Sequence, residues 1–178
     1  MGRNAPLPAD AGRARGYGQL RWLALSALLI GLDQWTKALI ERLLTLYETL
    51  TILPVFNIVR AHNTGAAFSF LRDAGGWQRW LFSVLALAVS VALLQWLRRL
   101  PRRANLLASA LACILAGALG NLLDRLRLGY VIDFIQVHWR EHYFPAFNVA
   151  DSAITIGAGL LLLDALLGDR RGSEGAGD

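Results

Sequence analysis

The sequence predicts a mainly α-helical, polytopic membrane protein with four spans, and three observations carry that prediction. Hydrophobic residues make up 55% of the 178-residue chain and charged residues 17%, with a mean hydropathy of +0.41; soluble domains usually carry about 25% charge. Two runs free of charge, Trp80 to Leu97 (18 residues) and Ala104 to Leu123 (20 residues), are each long enough to cross the hydrocarbon layer. Two further apolar runs, from Trp22 and from Asn148, carry only isolated charges.

Residues 1–19 are rich in Gly, Pro and Arg and are expected to be disordered. The run from Trp22 to Leu32 follows Arg13, Arg15 and Arg21, as the core of a signal peptide would. No small-residue cleavage site follows it, and apolar character resumes beyond Asp33 and Lys37. A retained first span is therefore expected over about 22–41. Residues 49–72 change character: Thr, Ile, Val and Phe dominate, punctuated by Pro54 and "NTG", which reads as short strands and a turn. "RDAGG" breaks the chain before a second span at about 78–97, and "RRLPRR" separates it from a third at about 104–123. Residues 124–147 mix charges, aromatics and glycine, and "YVIDFIQV" has strand character. A fourth span covers about 148–167, and 169–178 form a polar tail. The whole is one membrane-embedded domain.

Lys and Arg in short loops set the orientation. Four arginines precede the first span and four lie between the second and third, so both segments, and with an even number of spans both termini, belong in the cytoplasm. Segments 49–72 and 124–147 then share the outer face, where the unusual polar residues collect.

Each of those residues has a structural and a functional reading. Asp33 and Lys37 stand four apart on one helix face, as an ion pair that lowers the cost of burial or as a contact to substrate or a lipid head group. Asp124 and Arg125 close the third span, as an interface anchor or as site residues. The small residues of "GALGN", 117–121, let helices approach closely. Asp133 is either a strand-edge charge or functional; Asp151 is either an acid favoured by a helix N-terminus or functional. Two carboxylates entering one interface from two apolar segments favour function, since ionisable groups inside membranes are functional candidates by default.

Other chemistries lack support. His138 and His142 have the spacing of a helical metal pair without a helix signal around them. The single cysteine, Cys113, sits in an apolar run and suits a small core residue. GxSxG, P-loop and HExxH motifs are absent, and no cofactor or metal is implied. The net charge of +5 does not indicate nucleic acid, because the basic residues flank apolar runs rather than forming one face.

Five blocks, "DQWTK" (33–37), "NTGAAFSF" (63–70), "GNLLDR" (120–125), "VIDF" (131–134) and "FNVAD" (147–151), resemble in order and placement those of bacterial lipoprotein signal peptidase, or signal peptidase II, over roughly residues 20–168. The resemblance implies an aspartic endopeptidase of the bacterial inner membrane. Its expected fold is four transmembrane helices with a small extracytoplasmic β-sheet cradle and a short periplasmic helix. It implies cleavage of diacylglyceryl-modified prolipoproteins before the lipidated cysteine at a site near the periplasmic face, contact with membrane phospholipids, and inhibition by globomycin. The catalytic pair falls on Asp133 and Asp151, with support from Asp33, Lys37, Asn63, Gly65, Gly117, Asn121, Arg125 and Asn148, and Asp124 as a structural acid.

Two close carboxylates that share a proton can act as base and acid on a water and a peptide bond. Asp151, at a helix start, is expected to be the ionised member. Asn121 and Asn148 are expected to orient the pair, and Arg125 to hold Asp124 or a lipid phosphate. Segment 49–70 is expected to cover the site, with Gly75 and Gly76 as a hinge. An ion-coupled transporter and a membrane assembly factor are the competing classes. Transporters place their acids near the midplane of repeated halves, and an assembly factor would tolerate Asp→Asn changes.

Overall fold

The computed structural model describes residues 18–65 and 76–174. Four helices in it are long and apolar enough to cross a membrane: α1 (Leu23–Leu43), α2 (Trp77–Arg99), α3 (Asn105–Arg127) and α4 (Val149–Glu174). A short 3-10 turn, Leu20–Trp22, leads into α1. The strands are β1 (Thr49–Leu53), β2 (Phe56–Asn63), β3 (Val131–Trp139) and β4 (His142–Tyr143), antiparallel in the order β1-β2-β3-β4.

Helix α3 is the hub. Its small residues Ala108, Ala110, Ala112, Ala116, Gly117 and Gly120 are buried, so the other three helices can approach its backbone. A Cβ on Gly117 would collide with the Ala150 carbonyl and the Ile154 side chain, and one on Gly120 would lie 2.9 Å from Asp33 Oδ2. Outward-facing Leu28, Val84 and Leu162 are each more than 60% exposed, the surface expected against lipid tails.

The helices outrun the expected spans. α1 reaches Leu43, α3 reaches Arg127 and α4 reaches Glu174, because charge at a membrane boundary ends an apolar run without ending hydrogen bonding. Of the segment expected to be disordered, only Gly18 and Gln19 are described, and Gln19 is fully buried. Residues 66–72 of the β-rich segment, and Gly75, lie outside the described residues, as do 175–178 of the tail. Among the described residues no separate helix lies over the sheet. His138 and His142 stand on paired strands rather than a helix, His138 opposite Tyr143 and Trp139 opposite His142.

The sheet sits at the end of the bundle where α1 finishes and α4 starts. Asp133 pairs with Ala61 and Val131 with Asn63, and an irregularity lies between Ile58 and Ala61. Irregularities of this kind re-aim side chains beside functional sites. Phe147 then binds the strand again: its N–H donates to the Ile135 carbonyl at 3.0 Å, and its carbonyl accepts from Phe134 and Ile135 at 3.0 and 2.8 Å. This clasp carries the chain from β3 back to the start of α4 and brings Asp133 and Asp151 to one place.

Candidate active site

A cleft of about 410 Å³ opens between the sheet and the start of α4, and both Asp133 and Asp151 line it. Ala61 to Thr64 of the β2 end form one wall, and Phe144 to Phe147 another.

Asp133 is 2% exposed. Its Oδ2 accepts from Asn63 Nδ2 at 2.9 Å and its Oδ1 from Asn148 Nδ2 at 2.7 Å. Burial, then the charge of Asp151, pushes its pKa up to about 7, against the two asparagine donors and Lys37, which pull it down. Asp133 therefore holds a proton at a pH where an ordinary aspartate does not.

Asp151 is fixed by the chemistry of a helix start. Its N–H donates to Asn148 Oδ1 at 2.9 Å, while its own Oδ2 accepts from the Asn148 N–H at 3.3 Å. This is a reciprocal capping box with aspartate in the place usually taken by glutamate. Asn121 Nδ2 donates to its other oxygen at 2.7 Å. The carboxylate accepts two hydrogen bonds at the positive end of a helix, both of which favour the charged form.

Behind the pair lies a buried ionic cluster. Lys37 is 2% exposed, and its ammonium donates to Asp33 Oδ2 at 2.8 Å, reaches Asp124 Oδ2 at 2.8 Å and donates to Asn121 Oδ1 at 3.1 Å. Three donors meet three acceptors. Asp33 Oδ1 also accepts from the Ala150 N–H at 2.9 Å. Asp124 accepts from Gln34 Nε2 at 2.8 Å and from the Ile132 N–H at 3.4 Å. The cluster ties α1, α3, β3 and α4 together. It also helps set the direction of Asn121: its Oδ1 accepts from the ammonium at 3.1 Å and from Asn148 Nδ2 at 3.2 Å, so its Nδ2 turns to Asp151.

The structure brings Asp33, Lys37, Asn63, Asn121, Asp124, Asp133, Asn148 and Asp151 into one hydrogen-bonded assembly. Gly65 donates its N–H to Asn63 Oδ1 at 2.9 Å and holds φ at +109°, with Phe82 where a Cβ would go. Of the two partners expected for Arg125, Asp124 is not the one it holds. Lys37 takes Asp124, whereas the Arg125 guanidinium lies 5.3 Å over the Phe82 ring and donates to the Asn121 carbonyl at 3.4 Å.

Sequence reasoning missed Gln34, which lies within the "DQWTK" block but shows its role only across 90 residues, at Asp124. His62 also lines the cleft, stacked on Tyr130 at 3.7 Å, and burial followed by the Arg60 charge lowers its pKa. The aromatic signal of "YFPAF" could have pointed to the Phe144–Phe147 wall.

The family model described as "Signal peptidase (SPase) II" matches residues 25–167. A lipoprotein signal peptidase of Pseudomonas putida is 56% identical over 161 residues, 89% of this chain and 92% of that one. One of Pseudomonas aeruginosa is 50% identical over 163 residues, 90% and 96%. A bacterial membrane enzyme solved by the in meso method at 2.3 Å superposes with a TM-score of 0.74 at 30% identity, covering 84% of this chain and 89% of that chain.

Proposed function

The chain belongs to the signal peptidase II family, and from that premise we propose that Asp133 and Asp151 are the dyad with which it cleaves diacylglyceryl-modified prolipoproteins before the lipidated cysteine. Removal of signal peptides from prolipoproteins by an aspartic endopeptidase is the family's activity, so the transporter and assembly-factor readings fall away.

One observation carries the residue assignment: two carboxylates face one cleft in different environments, Asp133 in β3 with its pKa raised to about 7 and Asp151 at a helix start. Asp151 takes a proton from the attacking water. Asp133 donates its proton to the carbonyl oxygen of the scissile bond; as the tetrahedral intermediate collapses and the C–N bond breaks, Asp151 passes the water's proton to the leaving amine and Asp133 regains a proton from the diol hydroxyl as the new carbonyl forms. Asn63, Asn121 and Asn148 hold both carboxylates through the cycle, so little reorganisation is needed. The β2 end borders the cleft as an extended backbone, beside which an extended signal peptide can lie.

The protein is a multi-pass membrane protein. The arginines before α1 and between α2 and α3 support cytoplasmic termini in the inner membrane, with the cleft at the periplasmic face. There the substrate's lipid stays in the bilayer while the scissile bond meets the aspartates. Globomycin-type inhibitors are expected to compete for the same cleft, and phospholipids to surround the spans.

The test is cleavage of a diacylglyceryl-modified prolipoprotein by purified Asp133→Asn and Asp151→Asn proteins, with and without globomycin. Each variant should accumulate in the membrane and lose cleavage by at least about a thousandfold. Near-normal cleavage by either removes that residue from the dyad.

A further inference from the structure

At the end of the bundle opposite the aspartates, the chain builds a second polar site. The backbone N–H of Gln19 donates to the Leu97 carbonyl at 3.1 Å. Its side-chain Nε2 donates to the Pro101 carbonyl at 3.0 Å and to Asn105 Oδ1 at 3.2 Å. Gly18 sits at φ +54° against the Arg98 carbonyl, where a Cβ would collide. These bonds pin the entry to α1 onto the loop between α2 and α3. They leave a pocket of about 250 Å³ lined by Gly18, Gln19, Leu20, Arg21 and Arg102.

The charge around this pocket is one-sided. The last turn of α2 contributes Arg98 and Arg99, the loop after it Arg102 and Arg103, and the 3-10 turn Arg21. Arg21 bonds to neutral groups, Gln19 Oε1 at 3.1 Å and Asn105 Oδ1 at 2.6 Å, which fix its guanidinium without neutralising it. Among the described residues the ion pairs belong to Lys37 and Arg60, so none balances these arginines. Exposed Trp96, in the last turn of α2, marks the level at which indoles sit between acyl chains and head groups.

We propose that this pocket binds the phosphate-bearing head group of an anionic phospholipid, in the leaflet opposite the catalytic cleft. The guanidinium forks of Arg21 and Arg102 match phosphate oxygens. Head-group occupancy would pin the 3-10 turn and thereby the start of α1, the helix that carries Asp33 and Lys37.

The experiment uses the full-length protein in detergent, titrated with phosphatidylglycerol, with phosphatidylcholine and with inorganic phosphate, and read by native mass spectrometry and by the thermal midpoint. Phosphatidylglycerol should be retained at least about fivefold better than phosphatidylcholine, the scale of one arginine near an anionic surface. Arg102→Gln should remove that preference, and Arg99→Gln, which makes the same charge change outside the pocket, should keep it. Equal retention of the two lipids overturns the proposal, as does equal loss in both variants, which would mean diffuse surface charge. Competition by millimolar inorganic phosphate overturns the lipid assignment. Arg102→Gln is read only with its unliganded midpoint matching the parent; if it falls, Arg102→Lys replaces it and should retain at least part of the preference.

Discussion

Replacing Lys37 with Met keeps most of the side-chain volume and removes the charge. Asp33 and Asp124, 1% and 3% exposed, then face each other's charge with no cation between them. Breaking a buried ionic pair from one side costs about 3–5 kcal/mol. Asp33 keeps the Ala150 N–H, and Asp124 keeps Gln34 and the Ile132 N–H, which holds the loss near the lower end, about 3–4 kcal/mol. For a chain of this size that lowers the thermal midpoint by roughly 6–16 °C. Asn121 also loses one of the two donors that hold its Oδ1 away from Asp151, so turnover per folded molecule should fall by about tenfold. Tryptophan fluorescence on heating in detergent gives the first quantity, and gel-resolved cleavage of a lipidated precursor gives the second. Adding Asp33→Asn to Lys37→Met should recover part of the midpoint, because it removes one uncompensated charge. A midpoint within about 2 °C of the parent, or strictly additive losses in the double variant, would show that the cluster is not the coupled unit its distances describe.

Other outcomes follow from the same geometry. Cleavage should fall as pH rises through about 7, as Asp133 gives up the proton it donates; a rate flat from pH 6 to about 8.5 contradicts that role. Stability shares the sign. The native state keeps the Asp133 proton up to about 7 while the unfolded chain loses it near the ordinary value of 3.8, so the native state binds more protons in between and stability declines across that window. Asp133→Asn should flatten the decline, as measured by the thermal midpoint against pH. Gly117→Ala should cost about 1–3 kcal/mol and lower kcat, because α4 must move away from α3 and takes Asp151 with it. Asp124→Asn should lower the midpoint more than the turnover of the folded fraction, since Asp124 meets Lys37 and Gln34 rather than the cleft.

The sequence disclosed the spans because apolar runs have a length, and it disclosed the Asp33–Lys37 pair because α-helical spacing fixes which side chains meet. β3 was legible from its β-branched residues. The destination of each bond between elements was not. Lys37 reaches Asp124 on another helix, and the "DR" dipeptide made Arg125 look like the natural partner of its neighbour. Adjacent helical residues point to different faces, which is why Asp124 turns into the cluster and Arg125 turns to Phe82. The block resemblance named positions that the structure brings together, but the division of labour among three asparagines depends on which end of each amide faces which acid. Only packing decides that.

The capping box at Asn148 and Asp151 has a consequence for biogenesis. Asp151 acquires its geometry from the same two bonds that start α4, and α4 is synthesised after β3, which carries Asp133. Asp33, on the first helix, closes the cluster only when the Ala150 N–H arrives. A chain still emerging from the ribosome therefore carries Asp133 before Asp151 is in place, and on the proposed dyad hydrolytic competence arises only once α4 has packed against α3.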